Sequence, residues 1–195
     1  GVPFMDSSDM EFYNFMEKFA KEAGYIKAGG KIYYSPSGRF EIKLSDRIYN
    51  EAQIELVQLF LPHMHEGGQI IFMQRLWSHY YGQTKQYAVY EPVARTKYAA
   101  EEALRSYIPE FEKRGVKLSV LVGDVIRDTS VHSMFSRVFK ADMAELESTV
   151  PGGRFPDAEQ VALTVLDMVL NPGENGATRY IGRDKLPPFD ESVFG

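Results

Sequence analysis

A tyrosine and a lysine four residues apart, Tyr81 and Lys85, are the first side chains of this sequence to suggest proton-transfer chemistry. A tyrosine hydroxyl can serve as a general acid or base, and Ser78 lies three residues before it. Pro92 would interrupt a helix running on from this segment, because proline lacks a backbone donor and clashes with the preceding turn. The plainer interpretation is a lengthened loop, rich in tyrosine and containing Trp77, that covers or contacts another surface.

The histidines are the second set of candidates. His63 and His65 have a spacing that could bind a metal, but the chain has no cysteine and the turn sequence Glu66-Gly67-Gly68 follows them. That context favours a turn at the end of a helix. His79 and His132 have no acidic or hydroxyl partner at a recognisable spacing, so the sequence predicts no catalytic role for either and no metal site.

Composition limits the class of protein. The chain has 195 residues, of which 44% are hydrophobic, enough for a single domain over residues 1–195. Its net charge is -5 and its basic residues are scattered, which does not suggest a nucleic-acid-binding surface. The absence of cysteine excludes disulfides and thiolate metal sites. No apolar run is long enough to cross a bilayer, so we expect a cytoplasmic protein without membrane contact.

A central strand, helix and strand must position any site. Gln69 to Met73 is a buried-strand pattern, Glu91 to Arg114 a long helical pattern, and Val116 to Val122 a second continuous apolar strand. This order predicts a right-handed crossover onto a parallel sheet and therefore α/β architecture.

Further elements flank this unit. The pattern from Asp46 to Met64 predicts a helix apolar round its circumference, which suggests burial on two sides. Asp157 and Gln160 begin a helix that Asn171-Pro172-Gly173 ends, and Ala177 to Ile181 is a strand. Near the start of the chain, Ser8 with Glu11 is a capping-box pattern for another helix.

Four sequence segments, taken in their order and spacing, resemble the second half of a short-chain dehydrogenase/reductase. They are Gly68-Gln69-Ile70-Ile71-Phe72-Met73, the helix Thr96-Lys97-Tyr98-Ala99-Ala100-Glu101-Glu102-Ala103-Leu104, Arg114-Gly115-Val116-Lys117-Leu118-Ser119-Val120, and Gly153-Arg154-Phe155. The resemblance implies a truncated Rossmann-like, three-layer fold whose parallel sheet lacks the first two strands.

The catalytic positions that the resemblance implies have changed. The family's lysine falls on Lys97, but its tyrosine falls on Val93, which cannot transfer a proton. The family's serine falls on Arg75, and its asparagine falls on Tyr49 or, with a one-residue slip, on Asn50. An asparagine there is also typical of a helix start. Compared with the family, the Tyr81 and Lys85 pair lies too far before the second strand, so it would be a displaced site.

The nucleotide-binding half that the resemblance would require is also missing. No Gly-rich fingerprint occurs in the sequence, and such a turn is what aims a helix N-terminus at the pyrophosphate. Asp6 falls at the position that contacts adenine, Gly123 keeps half of the family's Pro-Gly pair, and Thr129 is the candidate for the nicotinamide contact. We therefore expect no bound cofactor and assign no catalytic or cofactor-binding residue to this chain alone.

This pattern of loss predicts a non-catalytic subunit. In the resembled family, the helix 46–64, the helix 91–113 and the last strand with its helix build the two-fold interfaces of a tetramer. The sequence resembles the inactive subunit of a heteromeric short-chain dehydrogenase, such as that of anaerobic toluene degradation. The implied partner is an active NAD(P)-dependent homologue in a heterotetramer, and the parallel extends to a CoA thioester substrate, although no motif here indicates CoA. The alternatives are an active oxidoreductase using Tyr81 and Lys85, and a stand-alone ligand-binding module.

Overall fold

The computed structural model describes residues 46–83, 91–129, 132–133, 136 and 140–186. Several sequence predictions lie outside these residues: Asp6 as the adenine-contact position, the helix that Ser8 and Glu11 would begin, and Lys85. In the described part, no helix is long and apolar enough to cross a membrane.

In the described part of the chain, one or more helices precede each of the three strands. A π-helical turn, Arg47–Glu51, runs into α1 (Ala52–Phe60) and a 3-10 turn (Leu61–His63). Then follow β1 (Gln69–Arg75), α2 (Leu76–His79), α3 (Glu91–Ser106), α4 (Ile108–Lys113) and β2 (Lys117–Gly123). The last elements are α5 (Lys140–Ser148), α6 (Ala158–Leu170) and β3 (Ala177–Ile181).

The three strands form one parallel sheet in the order β1-β2-β3, which confirms the predicted α/β class. Gln69 pairs with Lys117 and Arg75 with Gly123, so the carboxyl ends of β1 and β2 meet at one edge. That edge is where ligands bind in open α/β sheets.

Helices cover both faces of the sheet, as a three-layer fold requires. On one face, Leu118 of β2 packs with Leu61, Leu104 and Phe111. On the other, Leu121 packs with Met168 of α6. Adjacent residues of β2 thus point to opposite layers, and both sides of the strand are apolar because both are covered.

The long predicted helix 91–114 is divided at Tyr107 into α3 and α4. Pro109 stands near the start of α4 and has no N–H to continue the α3 hydrogen-bond ladder, which explains the break. Gly115, with φ +65°, follows α4 in the left-handed conformation that glycine adopts without strain.

The predicted burial of the helix 46–64 on two sides is wrong for the isolated chain. Val57 and Leu61 pack into the core, but Leu59 remains 64% exposed and Phe60 58% exposed. The helix carries apolar side chains on more than one side, but the chain's own core covers only the side that contains Val57 and Leu61.

Start and end signals for α6 are confirmed. The Asp157 carboxylate accepts a hydrogen bond from the Gln160 backbone N–H at 2.9 Å, and the Gln160 side chain accepts from the Asp157 N–H at 3.0 Å. This reciprocal capping box satisfies two donors at the helix start, and the helix ends before Asn171.

Candidate functional site

A buried glutamine fixes the geometry at the carboxyl end of β1. The Gln74 side chain is 5% exposed, donates from Nε2 to the Lys97 carbonyl oxygen at 2.8 Å and accepts at Oε1 from the Arg75 backbone N–H at 2.9 Å. One amide therefore holds α3 against the strand end and sets the backbones of Lys97 and Arg75 relative to one another.

Lys97, Arg75 and Tyr49 converge at this edge. The Lys97 ammonium lies 5.0 Å from the centroid of the Tyr49 ring. Burial and the positive charge of Arg75 hold the pKa of Lys97 below its usual range, because both disfavour the charged amine. The positions that the resemblance assigns to the family's lysine, serine and asparagine thus lie together, occupied by lysine, arginine and tyrosine.

Asn50, the alternative for the asparagine position, is held locally. Its side chain donates to the Asp46 carboxylate at 3.0 Å, one helical turn earlier. It therefore behaves as the helix-start residue that its context predicts, and Tyr49 is the residue that faces Lys97.

Val93 stands one helical turn before Lys97 on α3, where the resemblance requires a general acid. Its carbonyl oxygen accepts a hydrogen bond from the Thr96 hydroxyl at 3.1 Å, and its side chain is hydrocarbon. Thr96 itself is buried. This turn of the helix places an isopropyl group where acid–base chemistry would need a hydroxyl.

Tyr81 is turned toward the start of α3. Its hydroxyl donates to Glu91 Oε1 at 2.7 Å, and its ring lies 5.8 Å from that of Tyr98. The hydrogen bond to Glu91 raises the pKa of Tyr81, and burial and the charge of Glu91 add to the rise. Ser78, the third member of the displaced motif, is fully buried, and Lys85 lies outside the described residues, so the pair with Tyr81 stays a prediction.

A polar cluster that the sequence analysis missed lies between α2, α3 and β3. Glu101, 2% exposed, accepts from His79 Nδ1 at 2.9 Å and from Arg105 Nη2 at 2.8 Å. Arg105 also donates to Thr178 Oγ1 at 2.7 Å and to the Gly176 carbonyl at 2.6 Å. Burial raises the pKa of Glu101, but hydrogen bonds and charges from His79 and Arg105 outweigh it and hold the pKa below its usual range.

Two tyrosines complete this cluster. His79 Nε2 lies 3.1 Å from the Tyr180 hydroxyl, and Tyr80 donates to the Asp184 carbonyl at 2.6 Å. Burial, followed by the contact with Tyr80, raises the pKa of Tyr180 to about 12. The contacts of Tyr180 with His79 and Tyr80 fix the end of α2 against β3.

His79 and His132 thus have the partners that their sequence context did not reveal. His132 Nε2 lies 3.3 Å from the Ser136 hydroxyl, and its backbone N–H donates to Thr129 Oγ1 at 3.2 Å. Thr129, proposed by resemblance for a nicotinamide contact, therefore caps the following turn. His63 and His65 lie in the turn after α1, and the described residues contain no group of three or more metal-ligating side chains.

A second buried ion pair, between Arg183 and Asp124, lies at the carboxyl ends of β2 and β3. Arg183, after β3, donates from Nε to the Asp124 carboxylate at 2.5 Å and from Nη1 to Thr149 Oγ1 at 2.8 Å. Asp124 follows β2 and Thr149 follows α5, so the pair joins three separate segments. Its role is to hold the loops at the edge in place.

The chain matches no protein-family model and no curated protein. It is similar in structure to gluconate 5-dehydrogenase from Burkholderia cenocepacia, solved with NADP and tartrate, with TM-score 0.60 and 17% identity over 76% of this chain and 56% of that one. The enoyl-[acyl-carrier-protein] reductase (NADH) of Aquifex aeolicus gives TM-score 0.58 and 17% identity, covering 88% and 70%. A short chain dehydrogenase family protein of Francisella tularensis gives 0.56 and 13%, covering 72% and 60%.

These identities establish the fold alone. The chain spans 56% of the Burkholderia enzyme and 60% of the Francisella protein, and its three described strands make a partial sheet. The chain therefore has the α/β fold of short-chain dehydrogenases/reductases over part of their length.

Proposed function

We propose that this chain is a non-catalytic, short-chain-dehydrogenase-like subunit that assembles in the cytoplasm with an active NAD(P)-dependent homologue and supports it. The observation that carries this proposal is the set of side chains around Lys97. Val93 replaces the general acid, and Arg75 and Tyr49 fill the two other catalytic positions. The scaffold of the site is retained while its proton-transfer chemistry is absent.

Exposed apolar helix faces support assembly with a partner. Seven of the large exposed hydrophobic side chains lie on α1 and α6: Leu56, Leu59, Phe60, Leu163, Leu166, Val169 and Leu170. Each of the two helices carries several exposed apolar side chains, and exposed apolar surface of this kind marks interaction sites. In the resembled family these two helices build the two-fold interfaces, which favours a homologous subunit as the partner.

The two subunits would contribute different functional elements to the complex. The partner would provide the Gly-rich nucleotide-binding turn and the Tyr-x-x-x-Lys pair. This chain would provide a second set of interface helices and a rigid sheet. By analogy with the heteromeric dehydrogenase of anaerobic toluene degradation, the partner's substrate would be a CoA thioester.

Replacing Tyr81 by phenylalanine tests the non-catalytic assignment. Because the Tyr81 hydroxyl is engaged by Glu91 and its pKa is raised, we expect kcat and kcat/KM of the assembled complex to stay within about twofold of wild type. Tyr98→Phe, which removes a hydroxyl from the neighbouring ring, is the matched control. A loss of about 100-fold or more in kcat for Tyr81→Phe alone would show that Tyr81 is the general acid and overturn the proposal.

A further inference from the structure

The amine of Lys97 lies against an aromatic ring instead of a carboxylate. Its nitrogen is 5.0 Å from the centroid of the Tyr49 ring, and no described residue brings a carboxylate within ion-pair distance of it. One helical turn further along α3, Glu101 is 2% exposed and already accepts from His79 and Arg105. A half-buried ammonium in these surroundings is poorly hydrated, which favours the neutral amine.

The position of Lys97 in the fold gives a small molecule access to it. The buried Gln74 side chain donates to the Lys97 carbonyl oxygen at 2.8 Å, which ties this turn of α3 to the carboxyl end of β1. Val93, one turn earlier, places an isopropyl group on the same face of the helix. Lys97, Tyr49 and Val93 are each partly exposed, and small molecules bind at this end of open parallel sheets.

We propose that Lys97 is a nucleophilic amine that binds a small aldehyde as a reversible imine. The neutral amine adds to the carbonyl carbon, and the carbonyl oxygen then leaves as water with both amine hydrogens, so that a C=N bond remains. Desolvation is one of the ways in which proteins prepare a lysine for this reaction. The Tyr49 ring and Val93 favour an aldehyde with an apolar substituent.

Such binding is compatible with a non-catalytic subunit. Hydrolysis of the imine returns the aldehyde unchanged, so the chain needs no further catalytic group and no partner to bind it. The pKa of Lys97 supports this chemistry, because burial holds it below its usual range. A larger share of Lys97 than of an exposed lysine is therefore the free amine at neutral pH.

The test treats the full chain with propionaldehyde and cyanoborohydride, which reduces each imine to a stable secondary amine. Peptide mass spectrometry then gives the modification rate of each lysine. At pH 7 we expect Lys97 to react at least about threefold faster than Lys113, because the free amine increases about tenfold for each unit by which a pKa falls and lower nucleophilicity offsets only part of this gain. Lys113 is 73% exposed, so greater access alone would give the opposite order. A smaller ratio at pH 7 would overturn the proposal.

Replacing Tyr49 by alanine tests the surroundings of the amine. Without the ring, water should reach Lys97, favour its charged form and lower its rate at pH 7 toward that of Lys113. Tyr98→Ala, which removes the ring of the residue next to Lys97 on α3, should leave the Lys97 rate unchanged. A Tyr49→Ala protein that folds, as judged by circular dichroism, and keeps the wild-type ratio would contradict the assignment. The comparison of Lys97 with Lys113 in the wild-type chain needs no variant and decides the question even if Tyr49→Ala does not fold.

Discussion

Replacing Glu101 by glutamine is expected to lower the free energy of unfolding by about 3 kcal/mol at pH 7, as for other broken buried ion pairs. Glu101 is 2% exposed and accepts hydrogen bonds from both His79 and Arg105. Glutamine keeps the shape but removes the negative charge, so the Arg105 guanidinium loses its counter-ion. Because Arg105 is itself 25% exposed, water compensates part of the loss, and the expected effect lies at the lower end of the range.

The same contacts predict how this effect depends on pH. The pKa of Glu101 is held below its ordinary value of 4.5, so the folded state binds the proton less readily than the unfolded chain. The stabilisation is therefore fully present above about pH 4.5 and is lost as the pH falls through the folded-state pKa. The difference in stability between wild type and Glu101→Gln should therefore shrink as the pH falls from 5 toward 3.

Urea denaturation followed by circular dichroism at these pH values measures both predictions. Glu102→Gln is the matched control, since it changes the neighbouring residue of the same helix at an exposed position and should alter stability by about 0.5 kcal/mol at most. A Glu101→Gln protein as stable as wild type at pH 7 would mean that the cluster between α2, α3 and β3 does not hold the fold together.

Replacing Phe60 by aspartate is expected to weaken the complex with the active homologue about thirtyfold or more, the effect of losing an aromatic residue central to an interface. Phe60 is 58% exposed on α1 next to Leu59, and neither side chain is needed to complete the core beneath Leu61. The variant should therefore fold as wild type does while its apolar face no longer packs against a partner.

Titration calorimetry or analytical ultracentrifugation with the partner provides the measurement. Ala144→Asp places the same charge on an exposed position of α5, outside the proposed interfaces, and should bind as wild type does. Leu166→Asp separately tests the α6 face, where Leu166 is 52% exposed. If neither Phe60→Asp nor Leu166→Asp changes affinity, these helix faces do not form the interface.

Much of the sheet was predictable because its signals are local. β2 is covered on both faces, so Val116 to Val122 is a nearly continuous apolar run, and the observed strand differs from it by one residue at each end. The division between α3 and α4 was missed, although Pro109 marks it. The apolar pattern round α1 was recognised, but sequence alone could not tell which side the chain itself covers.

The site was predictable only where a family pattern could place residues. Arg75 and Lys97 were located by resemblance, and the Gln74 amide joins their backbones. Glu101 and His79 had no such signal, because 22 residues separate them and their contact depends on how α2 packs against α3. Tyr180 is 101 residues from His79, so only the completed sheet brings them together.

The most direct test of the central claim is the native mass of the complex isolated from the host through a tag on this chain, with each co-purifying protein identified and its stoichiometry measured. We expect a stoichiometric assembly with a complete short-chain dehydrogenase that carries an intact Gly-rich turn and a Tyr-x-x-x-Lys pair, and we expect Phe60→Asp or Leu166→Asp to dissociate it. A homo-oligomer of this chain that binds NAD(H) and turns over substrate by itself would show that the chain is not a non-catalytic subunit.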